Sequence, residues 1–300
     1  MKTIHEANQQ YLLWSCEKYK SSTIKQYIIW IKKFIDFVGQ DKEIKDISIT
    51  TFIEYTHHLK KINIKKSTQA YYLIGLRQLW EYIYLNQYTS IPHKLIPIPQ
   101  YQAESFPPAE KEHVYKIIES IKEEGDGFIQ MRDILIVNML YATGVRVSEL
   151  CDLTIDQLQL AQRYTSIISK KNNLRRTIVW DDTVEVLLLR YLAHRIEHAT
   201  SDALFISMDV KNKGKKITTR SIQRMMSKHR KIANISTKIT PHSMRHAYGK
   251  DSTEQKRHPR FIQRALGHKS IVSSQIYLQV NDVELREEAK EFLEKRKIKI

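Results

Sequence analysis

Three hundred residues, 42% apolar and 27% charged, are enough for two domains of ordinary size, each burying its own core. With only 8 glycines and 7 prolines, a collagen-like chain is excluded and long helices are favoured over a sandwich. The 49 Lys and Arg against 33 Asp and Glu leave a formal charge of +16, spread along the chain rather than gathered in a tail. Such a balance favours a polyanionic partner, because phosphate contacts release condensed counterions; a solvated basic surface or an acidic membrane is the alternative. Cys16 and Cys151 are too few and too distant in sequence for a disulfide framework. No apolar run approaches the roughly 20 residues that span a bilayer, and the first residues lack the apolar core of a signal peptide. The chain reads as cytoplasmic, without a membrane partner.

The elements follow in order. Residues 5–20 read as a first helix. Ser22 and Thr23 precede an apolar stripe (Ile24, Tyr27, Ile28, Ile31, Phe34, Ile35, Val38) that stops at Gly39. Thr50 or Thr51 is placed to cap a helix carrying Phe52, Ile53, Tyr55 and Leu59, and Ser67 precedes a further stripe from Tyr71 to Ile83. This predicts a four-helix bundle over 1–86 with its aromatics in the core. Five of the seven prolines (Pro92, Pro97, Pro99, Pro107, Pro108) mark a stiff linker over 87–107. Beyond it, 108–300 forms a second domain of mixed character. Helices are predicted at Ala109 to Ile121, Phe128 to Tyr141, Val184 to Ile196 and Thr219 to Ala233, and residues 163–180 alternate as a β-hairpin about Asn172 and Asn173. The stretch 247–260 is polar and unassigned, and 282–296 reads as a charged terminal helix. The fold class is mainly α with a small β component.

Six polar residues in the second domain carry chemistry: Arg146, Lys170, His242, Arg245, His268 and Tyr277. Two arginines, a lysine and two histidines suit an anion that carries charge through a reaction, and Tyr277 supplies a nucleophile. Arg146 follows Gly144 at the start of a short helix, where backbone N–H groups already favour an anion; the alternative is a surface pair with Glu149. A metal centre at His242, His246, His258 and His268 is disfavoured, because no Cys or carboxylate is spaced as a companion ligand. No cofactor is expected.

The motifs that carry these residues resemble those of the tyrosine recombinases, or phage integrases, and among them the simple Xer-type recombinases. Ala142-Thr143-Gly144-Val145-Arg146-Val147-Ser148-Glu149-Leu150 is similar to the family's ATGxRxSEL run, and His242-Ser243-Met244-Arg245-His246 to its HxLRH box. Leu266-Gly267-His268 is similar to the LGH box, and Ser274-Gln275-Ile276-Tyr277 to the TxxY segment, with Ser for Thr. Lys170 sits where the family carries its hairpin lysine, with Lys171 as the alternative.

The resemblance implies a SAM-like core-binding domain followed by a catalytic domain. It also implies cleavage and rejoining of DNA through a 3′-phosphotyrosyl link on Tyr277, without metal or ATP. Arg146 and Arg245 would hold the phosphate oxygens, His242 would act as base, Lys170 would protonate the leaving 5′-hydroxyl, and His268 would orient the phosphate. Glu149 would tie the arginine-bearing turn in place. The implied partners are a double-stranded DNA recombination site and three further protomers, giving a homo-tetramer on two duplexes or a hetero-tetramer with a related recombinase, joined by a four-way junction. An accessory protein is left open, as is the choice between chromosome dimer resolution and mobile-element integration. A topoisomerase-like relaxing activity and a cleavage-deficient DNA-binding protein are the other readings. After His246 the family's apolar segment is replaced by Ala-Tyr-Gly-Lys-Asp-Ser-Thr-Glu, which predicts altered packing beneath His242 and Arg245.

Overall fold

The computed structural model describes residues 2–102, 107–124, 127–168 and 175–267. The chain divides into two compact units, residues 1–105 and 106–300.

The first unit is built from α1 (Ile4–Lys18), α2 (Ser21–Val38), α3 (Ile49–Lys61) and α4 (Lys66–Leu85). The helix starts differ slightly from the sequence expectation. Ser48, not Thr50 or Thr51, caps α3, its hydroxyl accepting from the Thr51 N–H while Thr51 Oγ1 accepts from the Ser48 N–H. The stripes face one another and exclude water from Phe34, Phe52, Leu73, Leu76, Leu79 and Trp80. Their aromatics meet edge to face, Phe52 with Trp80 at 4.9 Å and Phe34 with Tyr55 at 5.1 Å between ring centroids. The first half of the proline-rich segment lies on this core. Trp80 Nε1 donates to the Ile91 carbonyl at 3.1 Å, Arg77 Nε to the Ile96 carbonyl at 2.9 Å, and Ile96 is fully buried. A chain that cannot pair its backbone in a helix or sheet has its carbonyls satisfied by α4 side chains instead.

The second unit centres on α6 (Gly127–Thr143), whose Leu135, Ile136, Val137, Met139 and Leu140 are fully buried around its circumference. A helix apolar on all sides belongs inside. It is covered by α5 (Lys111–Glu124), α8 (Asp182–Arg195) and α10 (Pro241–Glu254), while α9 (Thr219–Ile232) packs on α5. After the short α7 (Val147–Asp152), a three-stranded antiparallel sheet runs in the order β1 (Leu158–Gln159), β2 (Tyr164–Ile168), β3 (Arg175–Val179). Its register pairs Thr165 with Ile178 and Ile167 with Arg176, which places Arg176 on the inward face.

The unassigned stretch resolves into the end of α10 and then α11 (Pro259–Leu266). Each helix carries proline at its first position, where the missing N–H costs nothing. Thr240 caps α10, accepting from the Ser243 N–H at 3.2 Å. Besides Pro241 and Arg245, the buried residues of α10 are Ser243, Met244, Ala247, Gly249 and Ser252, so apart from Met244 it packs on α6 by small size rather than by apolar bulk. Ser252 and Thr253 satisfy their hydroxyls on the carbonyls of Tyr248 and Gly249, at 2.7 and 3.0 Å. No helix among the described residues is long and apolar enough to cross a membrane.

Candidate active site

The site begins where α6 stops. Gly144 takes φ +59°, and its N–H closes the helix on the Leu140 carbonyl at 3.2 Å. A Cβ there would lie 2.9 Å from Tyr248 Cγ and 3.1 Å from Leu266 Cδ2. Gly144→Ala therefore combines left-handed strain with a clash against two packed side chains. It is expected to destabilise the second unit by about 2–4 kcal/mol, read as a fall in its melting temperature. An unchanged melting temperature would mean that α10 and α11 are not held against this turn.

Two residues later Arg146 opens α7. The anion at this helix start is the protein's own: Glu149 accepts from the Arg146 backbone N–H at 3.0 Å and from Arg146 Nη1 at 2.9 Å. The pair is not a surface pair, since Glu149 is only 7% exposed. Its second cation is Arg176, reaching in from β3, with Nη2 at 2.5 Å from Glu149 Oε2. Burial pushes the Glu149 carboxyl up, but Arg176 and then Arg146 outweigh it and hold it below the usual carboxylate range. Glu149 is therefore an anion locked between two guanidinium groups.

The end of α11 gathers the arginines. Arg176 Nη1 donates to the Ala265 carbonyl, Arg245 Nη2 to the Leu266 carbonyl, and Arg146 Nη2 to the Gly267 carbonyl at 3.1 Å. The last carbonyls of a helix have no partner within it and sit at the negative end of its dipole. Three guanidiniums from β3, α10 and the α7 start thus share three consecutive acceptors. Gly267, at φ +61°, makes the approach possible: a Cβ there would meet Arg176 Cδ at 2.9 Å. Arg245 is only 5% exposed and also donates from Nη1 to the Gly144 carbonyl at 2.8 Å, which links the two glycine turns.

His242 lies in the first turn of α10. Its Nε2 is 2.9 Å from Nε2 of His246, one turn on, the rings crossing at 83° with centroids 4.3 Å apart. Partial desolvation, then the charges of Arg245 and Arg146, hold His242 below the usual imidazole range, so it is neutral at pH 7. His246 is lowered likewise, by desolvation and then by His242 and Arg245. Beside Arg146 a cavity of about 680 Å³ opens, lined also by Ser148, Ser166, Ile168, Arg175 and Lys216, so the inner ends of the hairpin face it.

The structure thus brings together Arg146, His242 and Arg245. Lys170, His268, Tyr277 and the predicted helix 282–296 lie outside the described residues. Arg176 escaped the sequence reading. Its signal was an arginine at the inward phase of an alternating strand, one position before Thr177 and two before the buried Ile178. Beneath His242 and Arg245, Tyr248 covers the Gly144 turn, and the buried face of α10 is formed largely by small residues.

Comparison with known proteins agrees with this architecture. The phage integrase family pattern matches residues 109–284, and the N-terminal SAM-like domain of phage integrases matches residues 7–90. Tyrosine recombinase XerC of Leptospira interrogans is 25% identical over 277 residues, covering 90% of this chain and 87% of the relative. Tyrosine recombinase XerD of Staphylococcus epidermidis is 26% identical over 274 residues, covering 89% and 90%. The fold is shared with the Tn1549 transposon integrase in complex with transposon right end DNA, at TM-score 0.81 and 17% identity over 97% of this chain and 100% of that one. The chain belongs to the phage integrase family, the tyrosine recombinases, and is a site-specific recombinase of the kind the Xer proteins exemplify.

Proposed function

We propose that this recombinase cleaves and rejoins double-stranded DNA at a specific site through a 3′-phosphotyrosyl link on Tyr277, and exchanges strands through a four-way junction in a tetramer on two duplexes. The observation that carries the reading is the mounting of Arg146 and Arg245 on consecutive carbonyls of α11, with a neutral His242 beside them. A guanidinium fork matches two phosphate oxygens, and two forks fixed by buried acceptors need no reorganisation as charge develops. His242 then accepts the phenol proton, its lowered pKa keeping it unprotonated at neutral pH. The tyrosyl oxygen forms its bond to phosphorus as the 5′-oxygen leaves, and Lys170 supplies the proton that the leaving oxygen takes. His268, next in the chain after Gly267, orients the phosphate. The phosphotyrosyl ester conserves the bond energy, so the reverse attack by another 5′-hydroxyl requires neither ATP nor metal. The net charge of +16 and a relative solved on transposon DNA support DNA as the partner.

The test is a nicked suicide substrate carrying the recombination site, incubated with the protein and resolved under denaturing conditions. A covalent adduct is expected, mapped by peptide mass to Tyr277, and it should disappear in Tyr277→Phe while DNA binding persists. An adduct that survives Tyr277→Phe would overturn the assignment. So would relaxation of supercoiled DNA with no site preference.

A further inference from the structure

Rings placed one turn apart on a helix need not touch, yet here two Nε2 atoms meet at 2.9 Å. A neutral imidazole carries one N–H and one bare nitrogen, so this contact requires one ring to donate and the other to accept. The direction decides what His242 can do. If His246 donates, His242 Nε2 is occupied and its Nδ1 carries the proton, so no nitrogen is left to act as a base. If His242 donates, its Nδ1 is bare.

We propose that His246 is a positioning residue for strand cleavage: it accepts the Nε2–H of His242, and so fixes the tautomer whose Nδ1 takes the proton from Tyr277. This rests on the reading of His242 as the base. In the step, the phenol O–H bond breaks and its electron pair goes to the new O–P bond, the proton ends on His242 Nδ1, and the 5′-oxygen leaves with the P–O electron pair and takes a proton from Lys170. The imidazolium so formed donates more strongly from Nε2, and the neutral His246 receives it. This support matters because, among the described residues, Arg245 on its own helix and Arg146 at the start of α7 both oppose the charge His242 must carry. His246 answers that opposition from the side of α10 away from the first turn. A carboxylate at this position would pair with Arg245 instead, whereas a neutral acceptor stabilises the imidazolium without drawing the guanidinium away. Rejoining uses the same arrangement in reverse, His242 returning the proton to the phenol oxygen.

The experiment measures single-turnover adduct formation on the suicide substrate from pH 5 to 9, with DNA affinity measured alongside. Removing the acceptor in His246→Leu should slow cleavage about 10- to 100-fold, short of the loss of the base itself. Its acid limb should move to lower pH, since His242 loses a partner that favours its charged form. His246→Gln keeps an acceptor oxygen and should stay within about threefold of the parent, with the acid limb restored. In a His242→Ala background, His246→Leu should add no further loss. A parental rate and pH profile in His246→Leu overturns the proposal, and so does a His246→Gln as slow as His246→Leu, which would mark a packing role. Additive losses with His242→Ala overturn it as well, because His246 would then act elsewhere. If His242→Ala itself cleaves at the parental rate, the base assignment fails and this proposal with it; a slow His242→Ala beside an unaffected His246→Leu sinks this proposal alone.

Discussion

Glu149→Ala is expected to cost the second unit about 3–5 kcal/mol, the range seen when one partner of a buried ion pair is removed. Total stabilities of about 5–15 kcal/mol make that a fifth or more of the whole. The reason lies in what remains. Arg176, 5% exposed, keeps its charge because a guanidinium does not deprotonate near neutral pH, and its Nε has no hydrogen-bond partner among the described residues. Without Glu149, only the Ala265 carbonyl answers that charge among the bonds described. Arg146 simultaneously loses the acceptor for its backbone N–H and for Nη1. Urea denaturation of the variant should show the lowered midpoint. Glu149→Gln should fall between, since an amide offers one acceptor oxygen where the carboxylate offers two.

The pH dependence of that difference identifies its origin. The Glu149 carboxyl is held below its unfolded value by Arg176 and Arg146, so its stabilisation is fully present above the ordinary carboxylate range. It disappears as pH falls through the lowered folded value. The gap between parent and Glu149→Ala should therefore be widest near neutrality and narrow on acidification. A gap constant with pH would assign the loss to packing rather than charge. The double replacement Glu149→Leu with Arg176→Met should recover much of the stability, as apolar substitution of buried pairs does, yet leave cleavage impaired because Arg146 has lost its anchor.

The sequence makes one half of this arrangement readable and hides the other for a physical reason. Arg146, His242 and Arg245 stand in short motifs, and the apolar stripes of α2 and α4 announce themselves by period. The convergence of the site does not, because its acceptors are backbone carbonyls. Ala265, Leu266 and Gly267 offer the same oxygen any residues would, and Arg146 reaches across 121 positions to the last of them. α10 is silent for a different reason. Its buried face of Ser243, Met244, Arg245, Ala247, Gly249 and Ser252 makes no continuous apolar stripe to detect, although Thr240-Pro241 marks its start as clearly as any cap. Arg176 was legible only to a reading that took the strand alternation literally and let a charge face inward. The short strand β1 holds two residues and is defined wholly by its partner β2, so no local pattern could have found it.

Arg245→Lys is expected to lower the rate of adduct formation by about 10²–10³, the scale of removing a preorganised donor to a developing oxyanion. A guanidinium presents five donors in one plane, so it can answer two carbonyls and an anion at once. In this chain Nη1 serves Gly144 and Nη2 serves Leu266, which fixes the plane of the group from two sides. An ammonium concentrates three donors at one point on a shorter side chain and cannot span both carbonyls. One of them would be left buried and unanswered, at a cost of about 1–3 kcal/mol, and the cation would no longer be held where charge develops. DNA affinity should change little, since one buried arginine contributes little to a basic surface spread over the whole chain. Arg146→Lys separates the two effects. The Arg146 side chain is 23% exposed against 7% for its partner Glu149, so a lysine there can solvate its charge and the fold should be less affected. Its rate loss should be of the same order, because the second fork is lost all the same. If Arg245→Lys cleaved within a few-fold of the parent, the carbonyl platform of α11 would be a device of stability alone, and the phosphate would have to be held elsewhere.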